Sequence, residues 1–453
     1  EWTTFLKSLS KNLTPEITVL DEKVIAHFKE QQSKELHAKQ QRMPSITSLL
    51  STAGEINYRP LSVTRKYTWV PTYKGFLDLF MDRYNKIKSM FSGDPVPLKD
   101  AMPGDFCVVM IADVIKSDKR KMLKVMDPSK YQIISIPEGY TNLPYAPGCV
   151  IGIKFEEQSQ KLKVEEIMLP DVPYPRPISR APDHAFAVFT SDIHVGSTKF
   201  QETQFKRFIK WLSGDCENTR LRNIAKNVRY VFLAGDLVDG VGVYPEQYKE
   251  IDIYSYEEQY KYLGELLEEI NREDIKIFAI PGDHDIPSLA LPQPPIEEIH
   301  AKKLYELKVE MLPNPIYMMV HNVLVLLYHG RSLNDVMNTA SISIQHPGKA
   351  MEVLLKIRHL APVSENTPIA PLPEDYLTIT HIPDIFHAGH IHVNEICGYR
   401  GVLIINAGTF QELTLYQKER GIKPTIAQPV LVDLKEFDVN GTNKGISTLD
   451  FRF

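Results

Sequence analysis

A chain of 453 residues has room for two or three folding units at roughly 150 residues each. Hydrophobic residues at 43% and charged residues at 24% exclude a chain disordered throughout, and a formal net charge of −5 excludes a global positive field, so a phosphate-rich partner must be held by a local patch or by metal. Four scattered cysteines, Cys107, Cys149, Cys216 and Cys397, exclude a disulfide scaffold or Cys-based zinc knuckle, and no apolar run reaches the roughly 18–20 residues of a membrane span.

The reading in chain order begins at Glu1 rather than Met, which suggests a processed or trimmed sequence from a soluble protein of a reducing, intracellular compartment. Residues 1–72 read as a polar arm, in which Val24, Ile25, Phe28 and Leu36 follow a loose helical stripe within Asp21–Gln41. Tyr73–Phe91 has apolar residues at helical spacing and is closed by Gly93-Asp94-Pro95, which predicts an amphipathic helix. From Pro97 to Leu169 the period shortens. The runs PGDFCVVMIADV, KMLKVMD, YQIISIP, GCVIGIKFE and KLKVEEIML predict five or so short strands, hence a small OB-like β-barrel completing a unit over 73–170. Residues 171–183 hold four prolines in thirteen positions and read as a linker. Over 184–453, strand-like runs alternate with helical stretches at Gln204–Leu212, Tyr256–Ile270 and Ser332–Leu360, which is an α/β pattern. The final runs QPVLVDLKEF and STLDFRF are expected to complete its sheet.

Five strand-like runs in this half each end in metal-ligand residues: AFAVFT before SDIHVGS, RYVFLA before GDLVDG, IKIFAI before PGDHD, VLVLLY before HGRS, and DIF before HAGHIH. Loops leaving the carboxyl ends of strands in an α/β sheet converge at one edge, so distant residues can share a crevice. Asp192 and His194 are expected to face one ion by alternation along an extended chain. Asp236, Asp283, His284, His329, His390 and His392 continue the carboxylate and imidazole set. Oxygen and nitrogen donors without thiolate suit Mn²⁺, Fe, Zn²⁺ or Ni²⁺, and so many ligands exceed one tetrahedral ion; two ions bridged by a carboxylate would use them. Asp239 and Asp285 are read as residues that orient ligands. His27, His37, His184, His300, His346 and His359 are read as ordinary core or surface residues.

The ordered set D-x-H, G-D-x-x-D, G-[N/D]-H-D, H-G and G-H-x-H over about Ala185 to the C-terminus resembles the calcineurin-like metallophosphoesterase superfamily, in particular its nuclease branch. With an OB-like unit and helical segment ahead of it, the chain resembles the B-subunits of replicative DNA polymerases, and among them the small subunits of archaeal D-family polymerases. The resemblance implies an α/β two-sheet sandwich flanked by helices. It also implies a 3′→5′ DNA exonuclease that proofreads beside a large catalytic subunit, as a heterodimer or higher assembly in the archaeal cytoplasm.

By motif position, Asp192, His194, Asp236 and His392 would hold one divalent ion, and Asp236, Asp283, His329 and His390 a second. Mn is favoured, with Fe, Zn, Ni and Mg as alternatives. A metal-bridging hydroxide would be the nucleophile, and His284 the unligated proton donor. The resemblance would place Asn where this chain has Asp283, which adds negative charge opposite an anionic phosphate. Arg331 is the favoured contact for a DNA phosphate, with Lys199, Lys206 and Arg207 as further candidates. The alternatives are a stand-alone metallophosphoesterase and a non-catalytic scaffold subunit.

Overall fold

The computed structural model describes residues 59–60, 72–116, 121–141, 143–158, 162–286, 289–363, 366–439 and 444–452. The helix expected within Asp21–Gln41 lies outside them, as do His27 and His37. Strand β1 (Arg59–Pro60) is followed by helix α1 (Tyr73–Lys88), which begins where the Thr72 hydroxyl accepts the Gly75 amide proton at 3.0 Å. The helix stops at Lys88 rather than Phe91, and it buries Leu79, Phe80, Tyr84 and Ile87.

The five short runs form β2 (Phe106–Lys116), β3 (Lys121–Met126), β4 (Tyr131–Ser135), β5 (Val150–Phe155) and β6 (Val164–Met168). They pair antiparallel in the order β4-β3-β2-β5-β6. Among the described residues no ladder joins β4 to β6, so the closure that a barrel requires is not seen and the strands make an open sheet.

The rest of the chain runs through β7 (Phe186–Thr190), α2 (Glu202–Ser213), α3 (Thr219–Lys226), β8 (Val228–Ala234), α4 (Tyr256–Glu268), β9 (Lys276–Ile280), α5 (Glu298–Glu306), β10 (Glu310–Met311) and β11 (Ile316–Val320). It continues through β12 (Val323–Leu327), α6 (Leu333–Ala340), α7 (Pro347–Ile357), β13 (Ile385–Ala388), β14 (Glu395–Tyr399), β15 (Val402–Asn406), α8 (Leu415–Glu419), β16 (Val430–Asp433) and β17 (Ile446–Thr448). The single helical stretch expected over Ser332–Leu360 is two helices. Ser341 caps α6 in a left-handed conformation with φ 54°, and Pro347, which has no N–H to lose, opens α7.

Two mixed six-stranded sheets result, β1-β11-β12-β13-β15-β14 and β10-β9-β8-β7-β16-β17. Alternation along each strand builds the layers. Ala187, Phe189, Tyr230 and Phe232 face Met318, Val325, Leu327 and Ile405 between the sheets. Val188, Val231 and Leu233 face outward onto Phe205, Phe208, Leu263 and Leu266 of α2 and α4. The opposite outer face, with Leu326, Phe386 and Ile404, is covered by Met351 and Leu354 of α7 and shares one apolar core with Val109, Ile151 and Ile153 of the five-stranded sheet. The C-terminal strands β16 and β17 complete the second sheet beside β7, as expected.

The proline-rich segment has no helix or strand, yet it is stitched down. Arg176 Nη2 donates to the Pro383 and Gly401 carbonyls, and Ala181 N donates to Leu434 O. Among the described residues no helix is long and apolar enough to cross a membrane.

Candidate metal centre

β7, β8 and β9 are parallel neighbours, as are β12 and β13 in the other sheet. Their five exits bring Asp192 and His194, Asp236, Asp283 and His284, His329, and His390 and His392 to one rim. The expected alternation of Asp192 and His194 does not occur. Both leave the strand in left-handed turns, with φ 52° and 55°, and Asp236 (49°), His390 (70°) and His392 (62°) do the same. Each such residue costs about 1 kcal/mol, a strain that persists where the surroundings dictate the backbone. Two glycines allow the close approach. A Cβ on Gly282 would strike Asp236, and one on Gly389 would strike Ser191 and Asp192.

Three groups have their donor atoms mutually within 4.8 Å: two triplets of Asp192, His194 and His392, and of Asp236, His329 and His390, and a further group of His194, Asp236 and His284. Asp236 also lies near the first, with Oδ2 3.8 Å from His194 Nε2, and so stands between them. His194 Nδ1 donates to Asp239 Oδ1 at 3.0 Å, which leaves the Nε2 lone pair facing inward, 3.2 Å from His392 Nε2. His329 Nδ1 donates to the Ala234 carbonyl at 2.8 Å, so its Nε2 is turned to Asp236 Oδ2, 3.4 Å away.

Asp192 Oδ1 and His329 Nε2 are buried without a hydrogen-bond partner. Carboxylate oxygens and imidazole nitrogens crowded together in a dry site are donors of the kind a divalent cation takes, so the set fits divalent metal. The charges of the cluster act on one another at short range. Burial acts to raise the Asp236 carboxyl, but His329, His284 and His194 hold it well below its usual range. Burial acts to lower His329, and Asp236 overcomes it and holds the imidazole well above its usual range. His390 is driven to about 4, chiefly by burial.

Asp283 is in neither triplet. One of its oxygens is 3.4 Å from His390 Nδ1, and the other is 3.1 Å from Arg331 Nη1. Arg331, the expected phosphate contact, is an ion-pair partner of Asp283. His284 lies at the edge: its backbone N–H donates to Asp236 Oδ1 at 2.8 Å, and its Nδ1 donates to the Asp239 carbonyl at 2.7 Å. It also belongs to the further group with His194 and Asp236, whose donor atoms lie equally within 4.8 Å of one another. Burial would lower its pKa, but Asp236 and Asp239 raise it overall.

Asp239 sits behind His194 and also accepts from Gln247 and Gln411. Asp285 accepts from the Gly282 and Leu237 amides and the Tyr260 hydroxyl, tying two of the loops together. Burial, and then Asp236, push its carboxyl up to about 6. Lys206 pairs with Glu202 on its own helix at 2.6 Å, and Arg207 donates to the Phe451 and Arg452 carbonyls. His184, His300, His346 and His359 have carboxylate partners away from the rim.

Several residues escaped the sequence reading. Gln417 lies 2.8 Å from His392 Nδ1, Gln411 reaches Asp239, Asn314 accepts from the His329 amide, and Asn334 contacts His390 Nε2 at 2.9 Å. Neutral amides carry no ligand signature. Two signals did exist: Thr414-x-x-Gln417 is a capping box, and VLIIN before AGTFQE is a sixth apolar strand ending at the same rim.

A two-sheet sandwich whose strand exits gather carboxylates and imidazoles at one rim is the construction that the sequence resemblance to calcineurin-like phosphoesterases implies. Residues 187–396 match the family of DNA polymerase alpha/epsilon B-subunits. The DNA polymerase II small subunit of Methanothermobacter thermautotrophicus is 37% identical over 370 residues, which are 78% of this chain and 76% of that protein. The chain belongs to the DNA polymerase II small subunit family of archaea. The Pyrococcus furiosus relative of the same name is 40% identical over 294 residues, 64% of this chain and 47% of that protein, so the chain spans only about half the length of some relatives. A solved archaeal phosphodiesterase aligns over 58% of this chain and 99% of its own, at 14% identity and a TM-score of 0.28.

Proposed function

We propose that the chain is a metal-dependent 3′→5′ DNA exonuclease, working as the proofreading partner of the large catalytic subunit of an archaeal DNA polymerase. The observation that carries this reading is the pair of buried, partnerless donors, Asp192 Oδ1 and His329 Nε2, each within a three-residue group open to a cation. Asp192, His194 and His392 would hold one divalent ion, and His329, His390 and Asp283 a second, with Asp236 shared. When bound, such ions supply Lewis acidity and an activated water; Mn²⁺ is favoured, with Fe, Zn²⁺, Ni²⁺ or Mg²⁺ also matched by oxygen and nitrogen donors.

The protein's own groups do the rest. Asp239 fixes the His194 tautomer, and the Ala234 carbonyl fixes that of His329, so both present Nε2 to the centre. His284 is the proton donor. Its Nδ1 is committed to the Asp239 carbonyl, which leaves Nε2 to protonate the 3′ oxygen of the penultimate nucleotide as the ester bond breaks. A frayed, mismatched 3′ end enters such a rim more readily than a paired one, because its unpairing costs less. In this reading residues 184–453 carry the hydrolysis, residues 171–183 connect, and 73–170 serve assembly in the archaeal cytoplasm.

The test uses the purified chain loaded with Mn²⁺ and single-stranded or mispaired DNA labelled at either end. Shortening from the 3′ end is expected. His284→Ala should slow it by about 10²–10⁴-fold, in the range of general acid catalysis, with metal content by mass spectrometry unchanged. If neither wild type nor Asp283→Asn cuts a phosphodiester with any divalent metal, the chain is a scaffold subunit.

A further inference from the structure

Asp283 and Arg331 come from different sheets. Asp283 stands on the loop after β9, and Arg331 on the loop after β12, turned back by Gly330 at φ 119°. The two side chains are 15% and 19% exposed, so the pair is mostly shielded from water. Two divalent ions would bring four positive charges to the carboxylates of Asp192, Asp236 and Asp283, and the third carboxylate reduces the net attraction for a phosphodiester, itself an anion. The guanidinium 3.1 Å from Asp283 Oδ1 is the nearby permanent cation.

We propose that Arg331 is a positioning residue that neutralises Asp283, so that the rim accepts a phosphate anion despite its third carboxylate. This rests on the phosphodiesterase reading above. It differs from a direct phosphate contact in one respect: the importance of Arg331 depends on whether residue 283 is charged. A direct contact would matter equally with Asp or Asn at that position.

The experiment is a double-mutant cycle read by calorimetric binding of inorganic phosphate to the Mn²⁺-loaded chain, with Mn²⁺ content measured alongside. Arg331→Gln should weaken phosphate binding about 10-fold or more with Asp283 present, and by less than about 3-fold in an Asp283→Asn background. Arg331→Lys, which keeps the charge and loses the fork, should stay near wild type. Equal losses in the two backgrounds would overturn the proposal and identify a direct contact. Wild-type protein that binds neither Mn²⁺ nor phosphate would bring down the phosphodiesterase reading and this role with it.

Discussion

The buried ion pair between α1 and the two-sheet half offers a sharp test of how the two are joined. Arg83 and Asp375 are both 0% exposed, and Arg83 Nε lies 2.6 Å from Asp375 Oδ2. The same oxygen receives His359 Nε2 at 2.9 Å, while Oδ1 accepts the Leu377 amide and the Asp375 amide donates to Asp82. Arg83→Met removes the cation and strands the carboxylate. Two unit charges about 4 Å apart at an effective dielectric constant near 20 interact by about 4 kcal/mol, and breaking a buried pair one-sidedly costs about 3–5 kcal/mol. The two estimates coincide, so a loss of about 4 kcal/mol is expected, with at least half recovered in Arg83→Met/Asp375→Asn. Hydrogen exchange followed by mass spectrometry is the assay, because the loss should appear first in peptides from 106–168, whose sheet shares a core with the face near Asp375. A change below about 1 kcal/mol, or no recovery in the double variant, would refute the argument.

Acid should weaken the fold through two buried histidines, against an opposite contribution from Asp285, whose carboxyl, raised to about 6, gains stability as it takes up a proton. Burial drives His359 and His387 down to about 4, so each is neutral when folded but takes up a proton near pH 6.5 when unfolded. Their contribution is complete above about pH 6.5 and is lost as pH falls towards 4, which melting temperature against pH will show; a flat profile there contradicts it. Gly282→Ala should abolish tight Mn²⁺ binding while far-ultraviolet circular dichroism stays native, since the new Cβ would meet Asp236 and lie 2.7 Å from His329 Cε1. Gln417→Ala should weaken Mn²⁺ binding by about 10–100-fold, the usual effect of removing a residue that orients a ligand, as measured by calorimetry.

Much of the site was legible because its ligands follow apolar runs that can only be strands. AFAVFT, RYVFLA, IKIFAI and VLVLLY became β7, β8, β9 and β12, and the polar residues after each became the rim. What stayed hidden has no periodicity. Gln411, Asn314 and Asn334 are ordinary polar residues until folding sets them against Asp239, His329 and His390. Arg331 looked like a free cation because its partner is an aspartate on another loop.

The amino-acid order alone therefore determined which strands and helices form and which side chains stand at their ends, since hydrophobic period and turn residues act over a few neighbouring positions. Tertiary structure decided the left-handed turns that bring Asp192 and His194 inward, the Asp283–Arg331 pair, and the Arg83–Asp375 clasp across 292 positions. Those depend on which loops two stacked sheets bring within a few ångströms, and coulombic and hydrogen-bond energies act through that distance, whatever the separation along the chain.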